Sequence, residues 1–74
     1  MNTTNYFYCE HFSKNLIYYM KEANISASKL ARLMDLNRKT VYKWMDGTQE
    51  PRIGQCKIIA GILGIKMSDL TGEE

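Results

Sequence analysis

Proline, cysteine and histidine are scarce in this sequence, and their scarcity excludes several kinds of protein. Its 74 residues contain one proline, two cysteines and one histidine. With so little proline and an apolar fraction of 45%, compact helices are favoured over disorder. Cys9 and Cys56 stand far apart, without cysteine or histidine neighbours at metal-ligand spacing. We therefore expect two free thiols and no metal site.

Long apolar runs and catalytic groupings are missing as well. No stretch approaches the ~20 apolar residues that cross a bilayer, and the N-terminus lacks the basic flank and apolar run of a signal peptide. We therefore expect a cytoplasmic protein without a membrane partner. His11 has no partner in a nucleophile arrangement, and there is no coherent acid pair, glycine-rich phosphate loop or metal-ligand cluster. We expect an exposed His11, no cofactor and no enzyme.

The length allows one domain, near the lower limit for folding without disulfides or metal. Most apolar residues are then needed for a single core, which leaves little room for an enclosed active site. Residues 1–10 are an N-terminal extension with three consecutive aromatic residues, and their pattern leaves its secondary structure open. Residues 11–71 carry the folded domain, and residues 72–74 are a polar tail.

Positive charge is concentrated in the middle of the chain. From Lys29 to Lys57 there are seven basic and three acidic residues, a local charge of +4, whereas the remainder holds three basic and five acidic residues, a charge of −2. The net charge of +2 conceals this contrast. A local excess of this kind is the footprint that a nucleic-acid partner requires.

A short helix is predicted between Asn37 and Gly47. Asn37 is a favoured N-cap residue, Gly47 can take the left-handed conformation that ends a helix, and Pro51 cannot continue one, so the helix covers residues 38–46. At 3.6 residues per turn this helix has an apolar face and a cationic face. The faces consist of Val41 and Trp44, and of Arg38, Lys39, Tyr42 and Lys43. The cationic face suits the major groove of DNA, but it also fits an ordinary solvated helix surface.

Two helices are predicted before this segment. One runs from His11 to near Asn24, and Ser26 caps another over residues 27–34. Their inward residues are Phe12, Leu16, Tyr19, Met20 and Ala23 in the first helix and Leu30, Ala31 and Met34 in the second. The link 35–37 is so short that the second and third helices must meet at a steep angle, as in a helix-turn-helix.

Two further helices are predicted after the loop 48–52. The inner stripe of the fourth helix is Ile53, Cys56, Ile59, Ala60 and Leu63. Gly64 ends this helix, and Ile58 and Ile62 face the other way. A last short helix contains Ile65, Met67 and Leu70. The expected fold is a compact all-α bundle of five helices.

The middle and C-terminal parts of the chain resemble a known family. Residues 25–53 read ISASKLARLMDLNRKTVYKWMDGTQEPRI, and residues 56–70 read CKIIAGILGIKMSDL. Both resemble the Cro and phage-repressor type of helix-turn-helix domain, over roughly Phe12 to Leu70. The most specific parts are Leu30 with Ala31, TVYKW at 40–44, Gly47, Pro51 and the IIAGILGI stretch. The resemblance implies a lambda-repressor-like fold in which helix two spans the DNA backbone, helix three reads base edges, and a dimer binds two half-sites about 34 Å apart.

The resemblance also implies roles for individual residues. Positions at which the family contacts bases are occupied by Arg38, Lys39 and Lys43, with Tyr42 beside them. Phosphate contacts are expected at the start of helix two, in helix three and, from its position alone, in the loop that follows: Ser26, Ser28, Thr40, Thr48 and Gln49. Arginine or lysine on guanine is the commonest base contact, so we expect G·C pairs where helix three starts.

Three features depart from the family. Ala27 stands where the family often has glutamine, which removes one contact to DNA and leaves its role to the neighbouring serines. Asp35 stands where glycine is frequent, and aspartate tolerates the left-handed region better than most residues. Met20 and Met45 stand where many members pair an arginine with a glutamate, so we expect these two apolar side chains to touch.

Two functions of different classes fit this reading. The first is a sequence-specific DNA-binding transcriptional regulator, most simply a repressor. The alternative is a protein-interaction module, such as an antitoxin or the partner of another regulator, with weak affinity for DNA. A homodimer is expected because one short helix reads only a few base pairs. Its candidate interface residues are Ile58, Ile62, Ile17 and the aromatic run Tyr6, Phe7 and Tyr8, although these aromatic side chains could equally cover the isoleucines of their own chain.

Overall fold

Five α-helices and no strand make up residues 3–72, the part of the chain whose backbone the computed structural model describes; side chains are described for residues 11–72. The helices are α1 (Thr3–Ala23), α2 (Ala27–Leu33), α3 (Arg38–Asp46), α4 (Ile53–Leu63) and α5 (Met67–Thr71). The expected all-α, five-helix fold is therefore confirmed.

The first helix is longer than its apolar spacing indicated. It begins near the start of the chain rather than at His11, so it includes most of the N-terminal extension. The predictions for the side chains of Tyr6, Phe7, Tyr8 and Cys9 lie outside the described residues. At its other end Asn24 takes a left-handed φ of 58°, and the N–H of Ile25 donates to the Met20 carbonyl at 2.9 Å. Asn24 therefore ends α1 in the left-handed conformation that glycine usually takes at the C-terminal end of a helix.

The core draws on all five helices. Its fully buried side chains are Phe12, Leu16, Leu30, Val41, Trp44, Cys56, Ile59 and Leu70. Cys56 is buried, and its thiol donates to the Pro51 carbonyl at 4.0 Å; it fills space as a small apolar residue, as its place on the inner stripe of α4 predicts. Burial of this set supplies the main favourable free energy of folding in so small a chain.

Two isoleucines of α4 do not lie where the sequence placed them. Ile53, assigned to the inner stripe, is 71% exposed. Helical side chains tilt toward the N-terminus, so the first residue of α4 points beyond the core, while the preceding Pro51 is buried. Ile62, assigned to the outer face, is half-buried against the core, because α4 packs on both α1 and α5 and is covered on more than one side.

The third helix is held between two others. It contacts α2 and α1, and α1 also contacts α5 and α4. Three helices, α3, α4 and α5, therefore pack on the long α1, while α2 packs on α3. This arrangement leaves one side of α3 free of the rest of the bundle.

Candidate nucleic-acid interface

Both ends of α3 are fixed by the residues that the sequence indicated. The Asn37 side-chain oxygen Oδ1 accepts a hydrogen bond from the backbone N–H of Lys39 at 2.9 Å, which satisfies a free donor of the first turn. At the other end Gly47 has a φ of 82°, and its N–H donates to the Lys43 carbonyl. The helix therefore covers residues 38–46, as predicted.

A tight turn connects α2 to α3. Ser26 caps α2 by accepting from the Lys29 N–H at 3.1 Å, and the helix ends one residue earlier than predicted, with Met34 as its C-cap. Asp35 takes a left-handed φ of 58°, as its tolerance for that region predicts. The chain then returns so that the N–H of Leu36 reaches the Ala31 carbonyl at 2.8 Å. This closed turn fixes how α3 leaves α2.

The two faces of α3 are separated by burial. Val41 and Trp44 are 0% and 1% exposed, and they attach the helix to the core together with the buried Leu30 and Ala31 of α2. The opposite side is exposed and consists of Arg38, Lys39, Tyr42 and Lys43, with the Tyr42 side chain 50% exposed. No acidic residue interrupts α3 before Asp46. A continuous cationic surface with one phenol therefore faces outward.

Ser13 holds the end of this helix, and the sequence reading did not single it out. Its hydroxyl donates to the Trp44 carbonyl at 2.7 Å, and the Ser13 side chain is buried. It also lies against the helix end, since a Cβ added to Gly47 would be 3.3 Å from its Oγ. The sequence does carry an indication of this role. Ser13 lies on the same helical stripe as Leu16 and Met20, and a polar group on an apolar stripe needs a hydrogen-bond partner.

The residues expected to contact phosphates differ in what their side chains are free to do. Ser28 and Gln49 are exposed, and Thr40 is half-buried. Ser26 is exposed and uses its oxygen only as an acceptor for the α2 cap, so its hydroxyl proton can still be donated to a phosphate. Thr48 instead donates its hydroxyl to Oδ1 of Asp46 at 2.7 Å.

The Asp46 carboxylate is held in its charged form by this loop. The hydroxyl of Thr48 lowers the pKa of Asp46 most, followed by the backbone N–H of Thr48, and the charge of Lys43 lowers it further. That N–H donates to the carboxylate at 3.0 Å. The cationic surface of α3 therefore ends at a fixed negative charge.

A groove lies beside α3, between α1 and the start of α2. It has a volume of about 430 Å³, and both Met20 and Met45 line it. Met20 is buried and Met45 half-buried, so the two thioethers share one apolar site; direct contact between them stays a prediction. Ala27, the residue in place of the family's glutamine, is buried beside them and offers no polar group.

The isoleucines considered for a dimer interface are not equally available. Ile58 is 52% exposed and Ile17 is 40% exposed. Ile62 is half-buried against the core of its own chain, so it offers less surface than expected. Ile17 lines the groove beside α3.

Within residues 3–72 no helix is both long and apolar enough to span a bilayer. The side chains of residues 11–72 include no group of three or more His, Cys, Asp or Glu residues that could hold a metal ion. His11 is exposed, as expected.

The capped helix, its buried anchor and its exposed cations define the chain as a helix-turn-helix protein. A family model described as the Cro/C1-type HTH DNA-binding domain matches residues 15–72. The chain belongs to this family of DNA-binding domains, which are typically not enzymes. No curated protein and no solved structure matches the chain significantly.

Proposed function

We propose that this protein is a sequence-specific regulator of transcription that acts as a repressor and reads the major groove of double-stranded DNA with α3. The observation that carries the proposal is the exposure of all three basic side chains of a helix whose opposite face is fully buried. An α-helix fits the major groove of B-DNA, where base edges present distinct patterns of donors and acceptors. A protein bound there blocks other proteins from the same sites.

Each exposed side chain of α3 has a chemistry suited to base edges. Arg38 and Lys39 are placed in the first turn, the part of a reading helix that reaches bases, and arginine or lysine recognises guanine through O6 and N7. Lys43 extends the contact by one turn. Tyr42, between these cations, offers an aromatic face for a thymine methyl group, and its phenol hydroxyl can donate a hydrogen bond to an acceptor on a base edge.

The backbone of the DNA is contacted by groups on both sides of α3. Ser26 and Ser28 of α2 have exposed hydroxyls, and Gln49 extends from the loop after α3. Such contacts fix position and orientation without reading sequence. Thr40 and Thr48 are the weaker contributors, because one is half-buried and the other donates its hydroxyl to Asp46.

A cytoplasmic homodimer is the proposed binding unit. One domain of this size contacts few base pairs, and a two-fold dimer doubles them by binding half-sites about one helical turn apart. Among the three isoleucines proposed for the interface, Ile58 is the most exposed, at 52%.

Selection of bound sequences from a random duplex pool tests the proposal. The expected result is a motif with two-fold symmetry and G·C pairs in each half-site, together with a steep fall of affinity with salt, since each neutralised phosphate adds nearly one unit to the log–log slope. Arg38→Ala should cost about 1–3 kcal/mol and relax specificity at one base pair.

The exposed Lys57 of α4 supplies the matched control, because it lies outside α3. Lys57→Ala should leave the selected motif unchanged. A shallow salt dependence with no enriched motif would instead identify a protein-interaction module, the alternative function.

A further inference from the structure

The groove beside α3 is apolar at its base and basic at its rim. Its apolar lining includes Ile17, Met20, Ile25 and Met45, and the exposed Lys21 and Lys29 stand at its edge. Among the described residues that line it, none is acidic. At about 430 Å³ it is large enough for one or two side chains of another molecule, and it is open to solvent rather than enclosed.

The chemistry of this lining selects one kind of occupant. A nucleic acid could pair with the two lysines, but its backbone is polar and its one aliphatic group, the thymine methyl, is too small to fill an apolar groove floor of this volume. Methionine side chains are flexible and polarisable, and they adapt to apolar side chains of different shape. The two lysines attract carboxylates over a range set by the Debye length.

From this arrangement we propose that the groove is a docking site for an acidic segment of a protein partner, with a large apolar side chain packed on Met20 and Met45 and flanking carboxylates on Lys21 and Lys29. The charges of the rim and of the partner are complementary, which speeds association and rejects basic segments. Ile17, 40% exposed, would be covered in the complex.

The position of the groove links this partner to DNA. Ser26 and Lys29 line the groove, and Ser26 is one of the groups that we place on a DNA phosphate. A carboxylate-bearing segment seated there would meet that phosphate with like charge. The partner therefore acts as an antagonist of DNA binding, and this second step rests on the proposed function.

Selection from a random peptide library displayed on phage, followed by methyl NMR of the full chain, tests the docking site. Enriched peptides should combine a large apolar residue with neighbouring aspartate or glutamate. On titration the methyl signals of Met20 and Met45 should shift, whereas those of Met34 and Met67, which do not line the groove, should not. A lack of enrichment, enrichment without acidic residues, or shifts at Met34 and Met67 instead would overturn the proposal.

Charge variants test whether the acidic peptide is bound by the two lysines at the rim of the groove or attracted by positive charge anywhere on the protein. The double variant Lys21→Gln with Lys29→Gln should weaken the selected peptide by about tenfold or more, and Lys57→Gln should not. Circular dichroism should show the same helix content for all three proteins. Equal weakening by Lys57→Gln contradicts a specific rim. Concentration-dependent shifts of Met20 and Met45 without peptide would assign the groove to a second copy of the chain and reject the protein partner.

Competition with DNA distinguishes the two proposals from each other. The selected peptide should release a bound duplex, with an apparent affinity for DNA that falls as peptide is added. If the peptide occupies the groove and the duplex stays bound, the antagonism is rejected, while the proposed recognition of DNA by α3 is not. Peptide binding by a chain that binds no duplex in any selection would reject the proposed function and leave the groove intact.

Discussion

The hydroxyl of Ser13 on α1 donates to the backbone carbonyl of Trp44 on α3 over 2.7 Å. The last carbonyls of a helix have no partner within that helix, so this bond satisfies one of them from outside. It connects two segments far apart in sequence and sets where the end of α3 lies against the bundle.

Removal of this bond should reduce stability measurably. In Ser13→Ala the Trp44 carbonyl stays in a buried position without its donor, which costs about 1–3 kcal/mol. Urea unfolding followed by circular dichroism gives the free energy of unfolding. Ser28→Ala, at an exposed position of α2, is the matched control and should change stability by no more than about 0.5 kcal/mol. Equal stability of the two variants would show that the bond contributes nothing.

Two glycine-to-alanine substitutions should have opposite effects. Gly47 has a φ of 82°, and an added Cβ would lie 3.3 Å from Ser13 Oγ, so Gly47→Ala should destabilise by about 1–2 kcal/mol. Gly61 lies within α4 with nothing within 4 Å of an added Cβ, so Gly61→Ala should stabilise by about 1 kcal/mol. Thermal melts of both variants give the signs. A Gly47→Ala variant as stable as the parent protein would contradict the strain at this helix end.

A double-mutant cycle tests whether Met20 and Met45 touch. Met20→Arg places a charge in the core and should cost about 3–5 kcal/mol, and Met45→Glu should cost less because that site is half-buried. If the side chains meet, the double variant should recover about 0.5–3 kcal/mol relative to the sum. Met20→Arg combined with Met67→Glu, on α5, is the control and should be additive. Additivity in both cycles would rule out the contact.

The contribution of the Asp46 carboxylate to the stability of the fold should be lost at acidic pH. Its pKa is lowered in the folded protein, chiefly by the hydroxyl of Thr48. A lowered pKa stabilises the fold at pH values above the ordinary carboxyl pKa, and the gain is lost as the pH falls through the lowered value. The difference in melting temperature between the parent protein and Asp46→Asn should therefore shrink on acidification. Thr48→Val should reduce the pH dependence in the same range, and an unchanged dependence in Thr48→Val would assign the shift to other groups.

The parts of the fold that were predictable are those fixed by neighbours in sequence. Asn37 and Gly47 bound α3 through hydrogen bonds and a backbone conformation within a few residues, and Asp35 enters the left-handed region for the same local reason. The cationic face of α3 follows from helical geometry alone. These features need no knowledge of the other helices.

The parts that were not predictable depend on distant packing. Helical spacing places Ile53 on the inner stripe of α4, but the first residue of the helix lies beyond the end of the core and is exposed. The same spacing places Ile62 on the outer face, but α4 is covered on more than one side, so Ile62 is half-buried. The groove beside α3 also needs three elements to be brought together. Ser13 is intermediate, because its stripe position indicates a partner and only the folded chain identifies Trp44.

Trp44 is the single tryptophan of the chain, and its indole is 1% exposed on α3. All tryptophan fluorescence therefore originates from α3, and the emission maximum shifts to longer wavelength when that indole meets water. If α3 detaches from the bundle while the other helices stay formed, which is a local opening, the emission maximum should shift before the ellipticity measured by circular dichroism falls. The protein thus contains its own optical reporter of whether α3 is docked on the bundle.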